Sequence, residues 1–129
     1  MTIPSMMAIF SGLLLVGCQT WGPTWSEISG ERYYNLTTLN RRAAIIERVD
    51  EQGAFAQYPI KIAPGAHQVT IQGPVLRPGG GYLKSFTLDA KPCKRYYINT
   101  QFKSRIELDF EPVVDYVDDI AGCVVASSK

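Results

Sequence analysis

Beyond position 42, apolar and polar residues alternate with a period of two over much of the chain. That spacing predicts strands, because successive side chains on a strand point to opposite faces. Ile60 and Ile62 share one face of Tyr58-Pro59-Ile60-Lys61-Ile62, and Val69 and Ile71 share one face of His67-Gln68-Val69-Thr70-Ile71. Pro64-Gly65 lies between them and marks a tight turn, since proline presets φ and glycine accepts positive φ. Residues 60–71 therefore read as a β-hairpin with Val69 and Ile71 toward the core. Lys84-Ser85-Phe86-Thr87-Leu88-Asp89-Ala90 alternates again, as do Tyr96, Ile98, Thr100 and Phe102, and then Ile106, Leu108 and Phe110. Ala43-Ala44-Ile45-Ile46-Glu47-Arg48-Val49 carries β-branched residues and runs into the turn signal Asp50-Glu51-Gln52-Gly53.

Two stretches are less regular. In residues 111–120, Val113, Val117 and Ile120 suit a helix face while Val114 and Tyr116 suit a strand; the strand is the preferred reading. Residues 73–81 are too rich in glycine and proline for an element interior and read as a long loop. Their three consecutive glycines do not make a phosphate cradle, because no Lys-Ser/Thr follows and no helix opens. Residues Ser29 to Asn40 are expected to add an edge strand, over Arg32-Tyr33-Tyr34-Asn35-Leu36, or a short helix. The fold class expected is mainly β: a small antiparallel β-sandwich of about six to seven strands.

The first 17 residues follow a different pattern. They contain no charged side chain, and Met6-Met7-Ala8-Ile9-Phe10 with Leu13-Leu14-Leu15-Val16 has the length of a secretory apolar region. A bilayer span needs roughly 20 apolar residues, so this stretch is too short to be one. It ends in Leu15-Val16-Gly17-Cys18, which resembles the lipobox of bacterial lipoproteins. The resemblance implies a signal helix cleaved between Gly17 and Cys18, diacylglycerol on the Cys18 thiol, and usually a further fatty acyl group such as palmitate on the new amino terminus. The n-region lacks its usual Lys or Arg and has only the Met1 amino group. An ordinary signal peptide, or a buried N-terminal helix with a chance cysteine, is the competing reading. In lipoproteins of enteric type, Asp after the lipidated Cys favours the inner membrane; Gln19 stands here, which favours the outer membrane, periplasmic face.

The expected organisation is a signal over residues 1–17, a lipidated cysteine with a tether or edge segment over 18–41, and the sandwich over 42–129. Trp21 and Trp25 lie in the tether, where they suit either the lipid headgroup level or packing on the domain.

Composition removes extremes. With 46% hydrophobic and 19% charged residues the chain is globular in character, and a formal net charge of +1 offers no field to recruit nucleic acid. The cysteine count is more informative. Of three cysteines, assigning Cys18 to lipid leaves Cys93 and Cys123 as a pair in a compartment where disulfides persist. Two buried thiols or a metal site are the alternatives, but two cysteines and one distant histidine lack metal-ligand spacing. A Cys93–Cys123 disulfide is therefore expected, and neither a metal nor a cofactor.

The stretch Ile60-Lys61-Ile62-Ala63-Pro64-Gly65-Ala66-His67-Gln68-Val69-Thr70-Ile71, followed by Phe86-Thr87-Leu88 and Tyr97-Ile98, resembles small envelope β-sandwich domains of the PEGA-like kind. The Pro-Glu-Gly-Ala tetrad itself is missing. Cys93 and Gly122-Cys123 resemble features of Gram-negative lipoproteins of unassigned role. The resemblance implies a non-catalytic domain.

Candidate chemistry is sparse. His67 is the only histidine, so any Ser-His-Asp scheme must run through it. Just past a turn, an imidazole commonly bonds local backbone groups, and that role is preferred to catalysis or pH sensing. Glu107, Asp109, Glu111, Asp115, Asp118 and Asp119 supply oxygens of the kind calcium takes, but in no EF-hand-like loop, so a solvated strand face is the preferred reading. Asn35-Leu36-Thr37 matches a glycosylation acceptor little used in bacteria. Exposed tyrosines suit a protein or glycan interface, and His67, Tyr82, Tyr96 and Tyr97 are the candidate interaction residues. The function expected is a membrane-anchored, non-enzymatic interaction or structural module with an envelope protein partner. A small-ligand or glycan binder using the Gly73 to Tyr82 loop and neighbouring tyrosines is the alternative, and a hydrolase comes third.

Overall fold

The computed structural model describes residues 22–31, 38–74 and 82–125. Among them it contains nine strands and no helix: β1 (Ser26–Ser29), β2 (Arg41–Ala43), β3 (Ile45–Val49), β4 (Gln52–Ala56), β5 (Ile60–Ile62), β6 (Gly65–Gln72), β7 (Leu83–Ala90), β8 (Lys94–Phe102) and β9 (Phe110–Asp119). Two sheets face each other. In the first, β9 runs antiparallel along the whole of one side of β8. The other side of β8 is shared by β1, parallel to it, and β2, antiparallel, while β5 lies outside β1. The second sheet has the order β4-β3-β6-β7 and is antiparallel throughout. The class is the mainly β, sandwich-like arrangement that the period of two predicts, with more strands than the expected number and one parallel pairing.

Alternation places the core. Val69 and Ile71 of β6 and Ile98 of β8 are fully buried, with Ile28 and Ile46 beside them and Tyr96, Phe102 and Phe110 closing the ends. Each such aliphatic side chain contributes about 1.5–3 kcal/mol when fully withdrawn from water.

The expected hairpin over residues 60–71 does not form. β5 pairs with β1 in the first sheet, whereas β6 pairs with β3 and β7 in the second. Pro64-Gly65 is still a turn, with Gly65 at φ 123°, but it carries the chain from one sheet to the other. A period of two reports which way side chains face, not which sheet a strand joins. Ala43 to Val49 likewise is not one strand. The chain changes sheet at the fully buried Ala44, whose amide donates to the Gly30 carbonyl at 2.9 Å. The sandwich also begins before position 42, because β1 lies in the stretch read as tether and is buried along its length.

Residues 110–119 form a strand. The register passes from Tyr97↔Tyr116 to Ile98↔Val114, which leaves Asp115 as an extra residue in a β-bulge. The bulge breaks the period of two and accounts for the mixed pattern in the sequence. The signal segment, Gly17, Cys18, Trp21, residues 32–37 and residues 75–81 lie outside the described residues.

Candidate functional site

The two crossings give the sandwich distinct ends. At one end lie the start of β8, the end of β9, the β3–β4 turn and the β5–β6 crossing; at the other lie the β8–β9 loop, the start of β7 and the start of β2. A strand of nine residues separates them by roughly 30 Å.

The first end holds a cleft of about 350 Å³ between the edge strands β4 and β5. Val49, Ala54 and Ile60 give it an apolar floor, and Asp50, Lys61 and His67 give it polar walls. His67 sits on the inward phase of β6, two residues before Val69, at the mouth of the core. Its Nδ1 lies 2.7 Å from Asp50 Oδ2 and its Nε2 2.5 Å from the Ala63 carbonyl. Both ring nitrogens face acceptors, so the protonated ring satisfies both contacts as a double donor. Burial opposes the charge, but the hydrogen bonds to Asp50 and Ala63 and the Asp50 charge outweigh it and raise the His67 pKa above 6.5. The same hydrogen bond, with one of 2.9 Å from the Gln68 amide, lowers the pKa of Asp50. Both ring nitrogens are turned to protein acceptors rather than to the open cleft, and no Ser, Thr or Cys lines it among the described residues.

Beside the cleft, Cys93 and Cys123 are joined in a disulfide across 5.4 Å between their Cα atoms. The start of the described chain is tied to this bond. The Cys93 amide donates to the Trp25 carbonyl at 2.8 Å, the Trp25 amide contacts Cys123 Sγ at 3.4 Å, and the Val124 amide donates to the Pro23 carbonyl at 2.9 Å. The Thr24 hydroxyl donates to the Val124 carbonyl. Trp25 packs on the domain, with the Lys61 ammonium 4.4 Å from its ring centroid.

The opposite end exposes Leu39, Tyr82, Leu83, Ile106 and Leu108, with Leu39 at 80% and Ile106 at 88% of full exposure. These residues belong to three segments, each bonded to the body of the fold or to its neighbour. The Gln101 side-chain Nε2 donates to the Leu39 carbonyl at 3.0 Å, the Gly73 backbone amide donates to the Tyr82 carbonyl at 3.3 Å, and Lys84 pairs with Asp109 at 2.9 Å.

The four candidate interaction residues are not brought together. His67 and Tyr82 are at opposite ends. Tyr96 is buried in the core, where its hydroxyl accepts from the Lys91 amide at 2.7 Å, so it has no face to offer a partner. Tyr97 lies half-buried on the outer face of the first sheet, its hydroxyl 3.4 Å from Asp118 and its ring 6.0 Å from that of Tyr116. The acidic residues are largely engaged by cations. Asp109 pairs with Lys84, Asp115 with Arg41, Asp118 with Arg95 and Asp119 with Lys94. No three metal-ligating side chains converge among the described residues. Asp115 is not on a solvated face, because its side chain is 2% exposed.

Two features escape sequence reasoning. Asp50 reaches His67 across 17 positions, and only its place at the head of a turn signal marks it. Phe55, on the edge strand β4, has φ 46° at a bulge, where glycine is the usual residue, and points outward. No protein-family model matches the chain, and neither the curated proteins nor the solved structures contain a significant match.

Proposed function

We propose that the chain is a membrane-anchored envelope lipoprotein whose sandwich serves as a non-enzymatic interaction module. Lipid on Cys18 would hold it, by preference, on the periplasmic face of the outer membrane, and the exposed loops would meet a protein partner. The observation that carries this reading is the apolar end made by Leu39, Tyr82, Leu83, Ile106 and Leu108, which lies away from the end where the chain arrives from Cys18. Several large exposed apolar side chains gathered at one end of a domain suit a protein contact site. The lipobox and the sequence resemblance to envelope β-sandwich domains point the same way. The ring nitrogens of His67, both turned to protein acceptors, count against a hydrolase.

The cleft supports a second reading. Its apolar floor and polar walls suit a small amphipathic ligand. In-cell cross-linking followed by pull-down separates the two. A dominant partner retained by the native protein, and weakened in both Cys18→Ser and a Leu39→Ser/Ile106→Ser form, is expected. No specific partner in any form would refute the interaction module and leave the cleft as the place to screen for ligands.

A further inference from the structure

Resting on the lipoprotein reading above, we infer that the disulfide end of the sandwich is itself a lipid-contacting surface, with Val124 and Val125 seated in the headgroup region of the bilayer that holds Cys18. The chain between Cys18 and Gly22 is short. Four Cα–Cα steps reach at most about 14 Å, while the polar zone on each side of a bilayer is roughly 5–8 Å deep. The domain therefore has little room to leave the surface, and its base faces the membrane.

That base is built in one piece. Pro23 and Val124 share a hydrogen bond, and the disulfide locks residues 93 and 123 around Trp25, so the valines travel with the tether. Val124 and Val125 are 59% and 60% exposed, a large fraction for adjacent β-branched residues with no charge beside them in sequence. The nearby lysines each have a partner within the domain, Lys91 in Asp89, Lys94 in Asp119 and Lys61 in the face of the Trp25 ring. The contact is therefore apolar in character and independent of anionic lipid.

The test uses the mature protein, isotope-labelled, isolated from the membranes of a Gram-negative host and placed in phosphatidylcholine nanodiscs carrying some gadolinium-chelate headgroups. Intact mass first reports whether Cys18 is acylated. Paramagnetic relaxation falls as the sixth power of distance, so over a body roughly 30 Å tall the amides of Lys91, Cys93, Lys94 and residues 121–125 should relax more than tenfold faster than those of 39 and 106. In a Val124→Ser/Val125→Ser form, still acylated and folded, that gradient should fall by at least about half, given that the lost contact is an apolar one. An acylated protein with no gradient, or a gradient unchanged in the double variant or abolished by salt, overturns the contact surface alone. A protein without acyl groups overturns the anchoring and this inference with it.

Discussion

The carbonyl of Trp25 accepts a 2.8 Å hydrogen bond from the amide of Cys93, and its own amide contacts Cys123, the other half of the same disulfide. The segment through which the domain is expected to be tethered thus enters the fold at the Cys93–Cys123 cross-link. A bond closing a separation of 30 residues is worth roughly 3 to 4 kcal/mol on loop entropy. Reduction, or a Cys93→Ala/Cys123→Ala form, should lower the melting temperature by roughly 15–25 °C. Thermal unfolding monitored by circular dichroism checks this; a shift of only a few degrees would mean that the corner is held by packing and hydrogen bonds instead.

His67 and Asp50 predict a dependence on pH. The His67 pKa is raised from its ordinary 6.5, so its contribution to stability is complete below about 6.5 and is lost as pH rises through the raised value. The Asp50 pKa is lowered from 3.8, so its contribution is present above 3.8 and is lost as pH falls through the lowered value. Asp50 is half-exposed and screened, which limits the pair to about 1 kcal/mol or less. Urea unfolding from pH 5.5 to 8.5 should show stability declining toward the alkaline side, and His67→Gln should flatten that slope. An identical slope in the variant would assign it to other groups.

Gly30 is fixed by the crossing at Ala44. A Cβ built on Gly30 would lie 1.9 Å from the Ala44 carbonyl oxygen, a backbone atom that cannot rotate away. Gly30→Ala is therefore expected to cost roughly 3 kcal/mol or more. Gly53→Ala, where nothing lies within 4 Å, should stay within about 1 kcal/mol of the parent. Equal effects of the two in denaturant unfolding would remove the steric account of the crossing.

Arg41 neutralises an Asp115 carboxylate that is nearly sealed from solvent. Arg41→Ala should destabilise the domain by about 3–5 kcal/mol, because a buried carboxylate is left without its counter-charge. Arg41→Met combined with Asp115→Leu should recover most of that loss. A double-mutant cycle on unfolding free energies measures the coupling, and additive losses would show that the pair does not act as a unit.

Much of this fold was legible because burial on one face leaves a period of two in the sequence. Val69, Ile71, Ile98 and Phe102 all lie where that period puts them. The disulfide was legible from the cysteine count once Cys18 was set aside for the expected lipid. β1 was not, since Ser-Glu-Ile-Ser shows no apolar alternation. Its serines are buried because their hydroxyls find backbone acceptors, Ser26 on Lys91 at 2.7 Å and Ser29 on Gln57 at 3.1 Å. β4 was missed because Gly53, Ala54 and the bulge at Phe55 leave no pattern on an edge strand. The sheet changes at Ala44 and Pro64 depend on contacts between distant segments, which no local period encodes. The Asp50–His67 pair was hidden for the same reason, while the partner four residues away, the Ala63 carbonyl, is the kind of local contact the sequence suggested.

Metabolic labelling with an alkyne fatty acid tests the anchoring of this domain most directly. Native protein expressed in a Gram-negative host should take up the label, fractionate with the outer membrane and lack residues 1–17, and Cys18→Ser should take up none. An unlabelled native protein, or label that persists in Cys18→Ser, would contradict a lipoprotein anchored at that residue.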